Sequence, residues 1–183
     1  RMRSARFCKS GQFDSLFTLN NVDPISNNFS FLRAQGNLVV DKATTLSAGS
    51  ALSGFGVIDA DGDKCTDVLF AKDGQLAFAK GTTTTFESNQ YFFPIDFKNL
   101  TAVEVFDVNN DGTLDMVLVD GNKSAVNFYL NDGKGHFVEA KASLPVLPDA
   151  SNLQLGDVDG DGCSDLAIKG TYGVAIVMSL ACK

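Results

Sequence analysis

The sequence has no tryptophan, one histidine, four cysteines and four prolines among 183 residues. The histidine, His136, lies in a glycine-rich turn and reads as an exposed turn residue. No nucleophile elbow, phosphate-binding glycine loop or zinc-ligand spacing accompanies it, so an enzyme is not expected. No run of about 18 apolar residues is present, which excludes a transmembrane helix and direct membrane insertion. The basic N-terminus, Arg1, Arg3, Arg6 and Lys9, lacks a following apolar stretch and does not read as a signal peptide. Beyond it no Lys/Arg cluster occurs, and 15 basic residues stand against 22 acidic ones with a pI near 4.5. Such a chain offers no electrostatic footprint to nucleic acid.

What is abundant is aspartate, in three copies of one pattern. Asp59, Asp61, Asp63 and Asp67 form the first, Asp107, Asn109, Asp111 and Asp115 the second, and Asp157, Asp159, Asp161 and Asp165 the third. Each places an oxygen side chain at loop positions 1, 3, 5 and 9, while position 7, occupied by Cys65, Thr113 and Cys163, offers its backbone carbonyl. That spacing gathers hard oxygen ligands around a calcium ion. Eleven of the 22 acidic residues fall in these loops, where their repulsion needs a cation. Three Ca²⁺ would bring the formal charge from −7 to about −1. An EF-hand would carry Glu at position 12 and flanking helices. Here position 12 is Phe70, Leu118 and Ile168, inside short runs of strand formers, so the loops join strands.

The loops begin 48 and 50 residues apart, a period that signals propellers or solenoids. Within each period a strand, the acidic loop, a strand, a tight turn and another strand recur, and four-stranded antiparallel blades are the natural reading. With Gly54-Phe55-Gly56 ahead of the first loop and Leu130-Asn131-Asp132-Gly133-Lys134-Gly135-His136-Phe137 after the second, the chain resembles the FG-GAP/VCBS repeats of integrin α-subunit propellers and related secreted proteins. The resemblance implies an all-β propeller, calcium held by the loop residues named above, and an extracellular or cell-surface setting. It also implies recognition of a protein or glycan. The alternatives are a structural subunit associated with further propeller or assembly chains and a polysaccharide-acting enzyme.

The expected organisation is a single domain with blades over about 11–50, 51–100, 101–150 and 151–183, the first degenerate and calcium-free, with residues 1–10 as the closing strand of the last. Part of a larger propeller is the other possibility. In the closed four-bladed ring Cys8 and Cys182 would meet in a disulfide across the closure, although four cysteines allow three connectivities. An even cysteine count and sites lacking Glu at position 12 fit an oxidising, calcium-rich exterior. Sequons at Asn28, Asn99 and Asn122 add weak support for glycosylation. Lys64 stands where the other loops carry Gly112 and Gly162, a position wanting φ > 0, and it adds positive charge. The first site is therefore expected to be the weakest, and Asn109 lowers the charge of the second. Fifteen Phe residues read as core.

Overall fold

The computed structural model describes residues 2–6, 14–20, 27–35, 39–40, 44–49, 52–72, 75–82, 86–93, 100–120 and 124–179. All regular structure among them is β, and every strand pairing is antiparallel. The chain divides into two compact units, Arg1–Ile95 and Asp96–Lys183. Repeats that contact mainly their sequence neighbours favour such division.

The first unit holds two sheets. Strands β1 (Met2–Arg6), β2 (Asp14–Asn20), β3 (Asn27–Gln35), β4 (Val39–Val40) and β5 (Thr44–Gly49) make the first, with β4 and β5 both pairing β3. β1 pairs β2 from Met2↔Thr18 to Arg6↔Asp14, whereas the sequence reading assigned it to the last sheet. Local pairing closes a short loop, and loop-closure entropy favours it over a partner at the far end of the chain. The second sheet runs in order β6 (Leu52–Ile58), β7 (Asp67–Lys72), β8 (Gln75–Gly81) and β9 (Phe86–Phe92).

In the second unit, β10 (Leu100–Phe106), β11 (Asp115–Asp120), β12 (Ala125–Asn131) and β13 (Phe137–Pro145) form a four-stranded meander. β14 (Asn152–Gly156), β15 (Asp165–Gly170) and β16 (Gly173–Val177) form a three-stranded one. Every residue of β11 is buried, which explains why it reads as an unbroken apolar run rather than an alternating one. Its Val117 and Val119 join Leu153, Leu166 and Ile168 in a core between the two sheets. At one border of that core the Thr101 hydroxyl donates to the Ala150 carbonyl at 2.6 Å, tying the start of β10 to the approach to β14. β16 is different: Val174 is 61% and Ile176 44% exposed, and among the described residues its only partner is β15.

Phenylalanine serves as packing. Phe55 and Phe70 are fully buried in the second sheet, and the Phe78 and Phe93 rings lie 5.2 Å apart. The acidic loops join first to second strands: β6 to β7, β10 to β11 and β14 to β15. The segment Asn20 to Asn28, read as lacking a ligand set, falls largely outside the described residues.

Candidate metal centre

Each loop is shaped by its own carboxylates. The position-1 aspartate accepts two backbone N–H groups across the turn. Asp59 receives those of Gly62 and Lys64 at 2.8 and 2.9 Å. Asp107 receives those of Asp111 and Gly112 at 3.0 and 2.8 Å, and Asp157 those of Gly160 and Gly162 at 2.7 and 3.0 Å. Position 5 accepts from position 7: Cys65, Thr113 and Cys163 each donate at 2.8 Å to Asp63, Asp111 and Asp161. These Asx-type bonds curl the backbone so that the remaining lone pairs face inward.

The curl requires left-handed backbone at positions 4 and 6. Gly62, Asn110 and Gly160 have φ of 77°, 59° and 80°, and Lys64, Gly112 and Gly162 have 67°, 86° and 88°. Gly62 therefore does not relieve Lys64, which takes the strained conformation itself at a cost of about 1 kcal/mol.

Position 9 has a second task. Asp67, Asp115 and Asp165 are buried. One oxygen of each accepts the position-2 N–H, from Ala60, Val108 or Val158, at 2.8, 2.9 and 2.8 Å. The other accepts from the end of the third strand or just beyond it, from Gly81, Asn131 or Ser179, at 2.7, 2.8 and 2.8 Å. This carboxylate locks the loop onto its sheet while leaving lone pairs for an ion. Burial pushes the Asp67 carboxyl up to about 7, opposed by the Gly81 and Ala60 N–H groups and reinforced by the Asp61 and Asp63 charges. Burial raises Asp115 as well. Asp165 moves the other way, because the Ser179 and Val158 N–H groups outweigh desolvation on the more open three-stranded sheet.

In the first loop oxygens of Asp59, Asp61 and Asp67, and in the third those of Asp157, Asp159 and Asp165, lie within 4.8 Å of one another. Such convergence of hard oxygen donors could hold a metal ion and suits a divalent cation such as calcium. In the second loop Asp107 and Asn109 both accept the Asp111 N–H, but its three aspartates do not converge within the 4.8 Å that groups those of the first and third loops. The Asn109 amide Nδ2 donates to Asp111 at 2.8 Å. That bond draws Asp111 below the usual carboxylate range.

Two features were not legible in the loop pattern. Lys80, at the end of β8, hydrogen-bonds Asp61 and lies 3.3 Å from Asp63. Chiefly through Asp61, the pair holds the ammonium above the usual lysine range. Asn131, beyond the second loop, donates its side-chain amide to the Leu114 carbonyl at 3.2 Å and accepts from Gly133 at 3.0 Å. It joins the loop to the glycine-rich hairpin, where Gly133 and Gly135 have φ of 72° and 89°. His136 is exposed there, with Nδ1 2.9 Å from Asp132. Cys65 and Cys163 are buried and disulfide-bonded, and no described cysteine is free. Cys8 and Cys182, expected to pair across a ring closure, lie outside the described residues.

The fold and loops define an all-β repeat protein that presents carboxylate-lined turns between the first and second strands of successive sheets. The FG-GAP-like repeat matches residues 59–118 and 107–168, which together span more than half of the chain. The chain belongs to the FG-GAP-like repeat family. Comparison with curated proteins gives no match.

Proposed function

We propose that this chain is an extracellular, calcium-stabilised β-propeller that recognises a protein or a glycan. The observation that carries the reading is the third loop, where Asp157, Asp159 and Asp165 converge within 4.8 Å. Among the described residues, no Lys or Arg pairs with their carboxylates. The ligands there are Asp157, Asp159, Asp161 and Asp165 with the Cys163 carbonyl. The second loop supplies Asp107, Asn109, Asp111 and Asp115 with the Thr113 carbonyl. The first offers Asp59, Asp61, Asp63 and Asp67 with the Cys65 carbonyl and binds most weakly. Calcium supplies the positive charge that lets these carboxylates stay ionised in close company. Their role is to stiffen one end of each of the three sheets that carry a loop, leaving other loops to make contacts, with no catalytic step.

Support for the extracellular setting comes from the family, whose repeats are often parts of extracellular recognition modules. No helix among the described residues is long and apolar enough to cross a membrane. A calcium titration of thermal stability tests the proposal. An ion present at about 100 times its Kd stabilises by roughly 2.7 kcal/mol per site, so excess calcium should raise Tm well above that in chelator. An unchanged Tm overturns it.

A second reading, a component of a larger propeller or extracellular assembly, is favoured by the exposed apolar side chains of β16. Sedimentation separates the two: a monomer fits the self-contained module, obligate association the component.

A further inference from the structure

We infer that Lys80 is a built-in counter-ion for the first loop, so that this repeat is held by an ammonium group where the other two are held by metal. The inference rests on the calcium reading of the second and third loops and goes beyond it.

The argument begins with register. Gly81, Asn131 and Ser179 are structurally equivalent, because each donates its backbone N–H to the position-9 aspartate of its own loop. The residue before each is therefore equivalent too: Lys80, Leu130 and Met178. Only the first repeat places a cation at this point. Its Nζ reaches both Asp61 and Asp63, the position-3 and position-5 carboxylates that a calcium ion would need. The side chain is about one-third exposed, so the ammonium reaches the cluster along the sheet while its charge remains partly hydrated.

The first loop has in other respects the geometry of a site. Oxygens of Asp59, Asp61 and Asp67 converge within 4.8 Å, as do those of Asp157, Asp159 and Asp165 in the third loop. What distinguishes it is that two of its ligands already bond a cation that cannot diffuse away. A calcium ion entering this loop must displace Lys80 and then bind beside it, against like charge. Lys64, which the sequence reading held responsible for weakness, points to no such competition: its backbone N–H serves Asp59, and no described ion pair involves its side chain. Lys80 thus sets metal occupancy, and Lys64 sets backbone strain.

Two consequences separate this from a merely weak site. The first loop should keep its shape without metal, and replacing Lys80 with the residue the third repeat carries should create a site. The test is calcium bound per chain, measured by equilibrium dialysis on the full chain at about 1 mM Ca²⁺. A parallel readout is hydrogen exchange of the Gly62 and Lys64 amides in chelator. Wild type should bind about two ions and Lys80→Met about three, while Lys80→Arg, which keeps the charge, should stay near two. In chelator, Lys80→Met should exchange Gly62 and Lys64 at least about tenfold faster than wild type, and calcium should restore protection. The reverse transplant, Met178→Lys, is at a position 40% exposed and should reduce binding to about one ion. Three ions in wild type, or no gain in Lys80→Met, overturns the inference. Binding of none by any variant overturns the calcium reading instead. The counter-ion role then stands if exchange rises in Lys80→Met, and falls if it does not.

Discussion

The backbone N–H of Asn131 donates to Asp115 Oδ1 at 2.8 Å, while the Asn131 side chain reaches the carbonyl of the neighbouring Leu114 at 3.2 Å. One residue thereby satisfies both sides of the point where the second acidic loop becomes a strand. It also caps the glycine-rich hairpin through Gly133. Asn131 is 3% exposed, so none of these bonds is readily replaced by water. Asn131→Asp keeps the size but turns the donor facing Leu114 into an acceptor. The expected loss is about 1–3 kcal/mol by urea unfolding, the cost of leaving a buried polar group unsatisfied. A change within about 0.5 kcal/mol would show that the side-chain bond is dispensable.

The third loop should be more sensitive to ligand loss than the first. Asp161→Ala removes a position-5 ligand from a loop with no competing cation among the described residues, whereas Asp63→Ala removes one already engaged by Lys80. Asp161→Ala is expected to weaken one calcium site at least about tenfold, equivalent to 1.4 kcal/mol, and Asp63→Ala to leave calcium binding nearly unchanged. Isothermal titration of the two variants distinguishes these outcomes.

Gly81 has no room for a side chain. A Cβ there would lie 2.2 Å from the Thr66 carbonyl oxygen, a backbone atom that cannot swing aside. Gly81→Ala should cost about 2–3 kcal/mol or more, the range for forced overpacking. Gly156→Ala, where nothing lies within 4 Å, should stay within about 0.5 kcal/mol. Equal effects of the two substitutions, measured by chemical denaturation, would refute the packing account.

Alkaline stability should depend on Tyr129. Burial, helped by the charge and hydrogen bond of its cross-strand partner Glu139, pushes the phenol up to about 12 from 10.0. Below pH 10 both folded and unfolded chains keep the proton and stability is intact. Between about 10 and 12 the unfolded chain releases it while the folded chain does not, so stability falls as pH rises, by on the order of 2 kcal/mol in all. Tyr129→Phe should flatten that fall, and tyrosinate absorbance should show Tyr129 ionising late.

The parts of this fold legible in sequence are those encoded locally. Ligand spacing places Asp59 to Asp67 in one turn without reference to anything distant. Val117 and Val119 with Met116 and Leu118 announce a strand covered on both faces. Lys80 was not legible, because its meaning depends on a hairpin that carries it back to Asp61, 19 residues earlier. Asn131 was half legible: the glycine-rich signature marked its segment, but its bond to Leu114 required the pairing of β11 with β12. The partner of β1 was misassigned because strand pattern identifies a strand and leaves its neighbour open. Lys64 could be read as strained, and its φ of 67° agrees, yet strain and occupancy proved to be separate matters.

The backbone bonds from Gly81, Asn131 and Ser179 to the position-9 aspartates span 14, 16 and 14 residues. Every hydrogen bond described above as shaping an acidic loop is therefore contained between its first aspartate and the end of its own third strand or, for Ser179, two residues past it. A stretch of gene covering that interval carries the hydrogen bonds of a loop, while the disulfides of Cys65 and Cys163 must reach a cysteine beyond it. What a new copy must still acquire is a contact with its neighbour, such as the Thr101 bond to Ala150 across 49 residues. In a chain built this way, the loops can multiply by duplication while the seams between sheets have to be tuned one at a time.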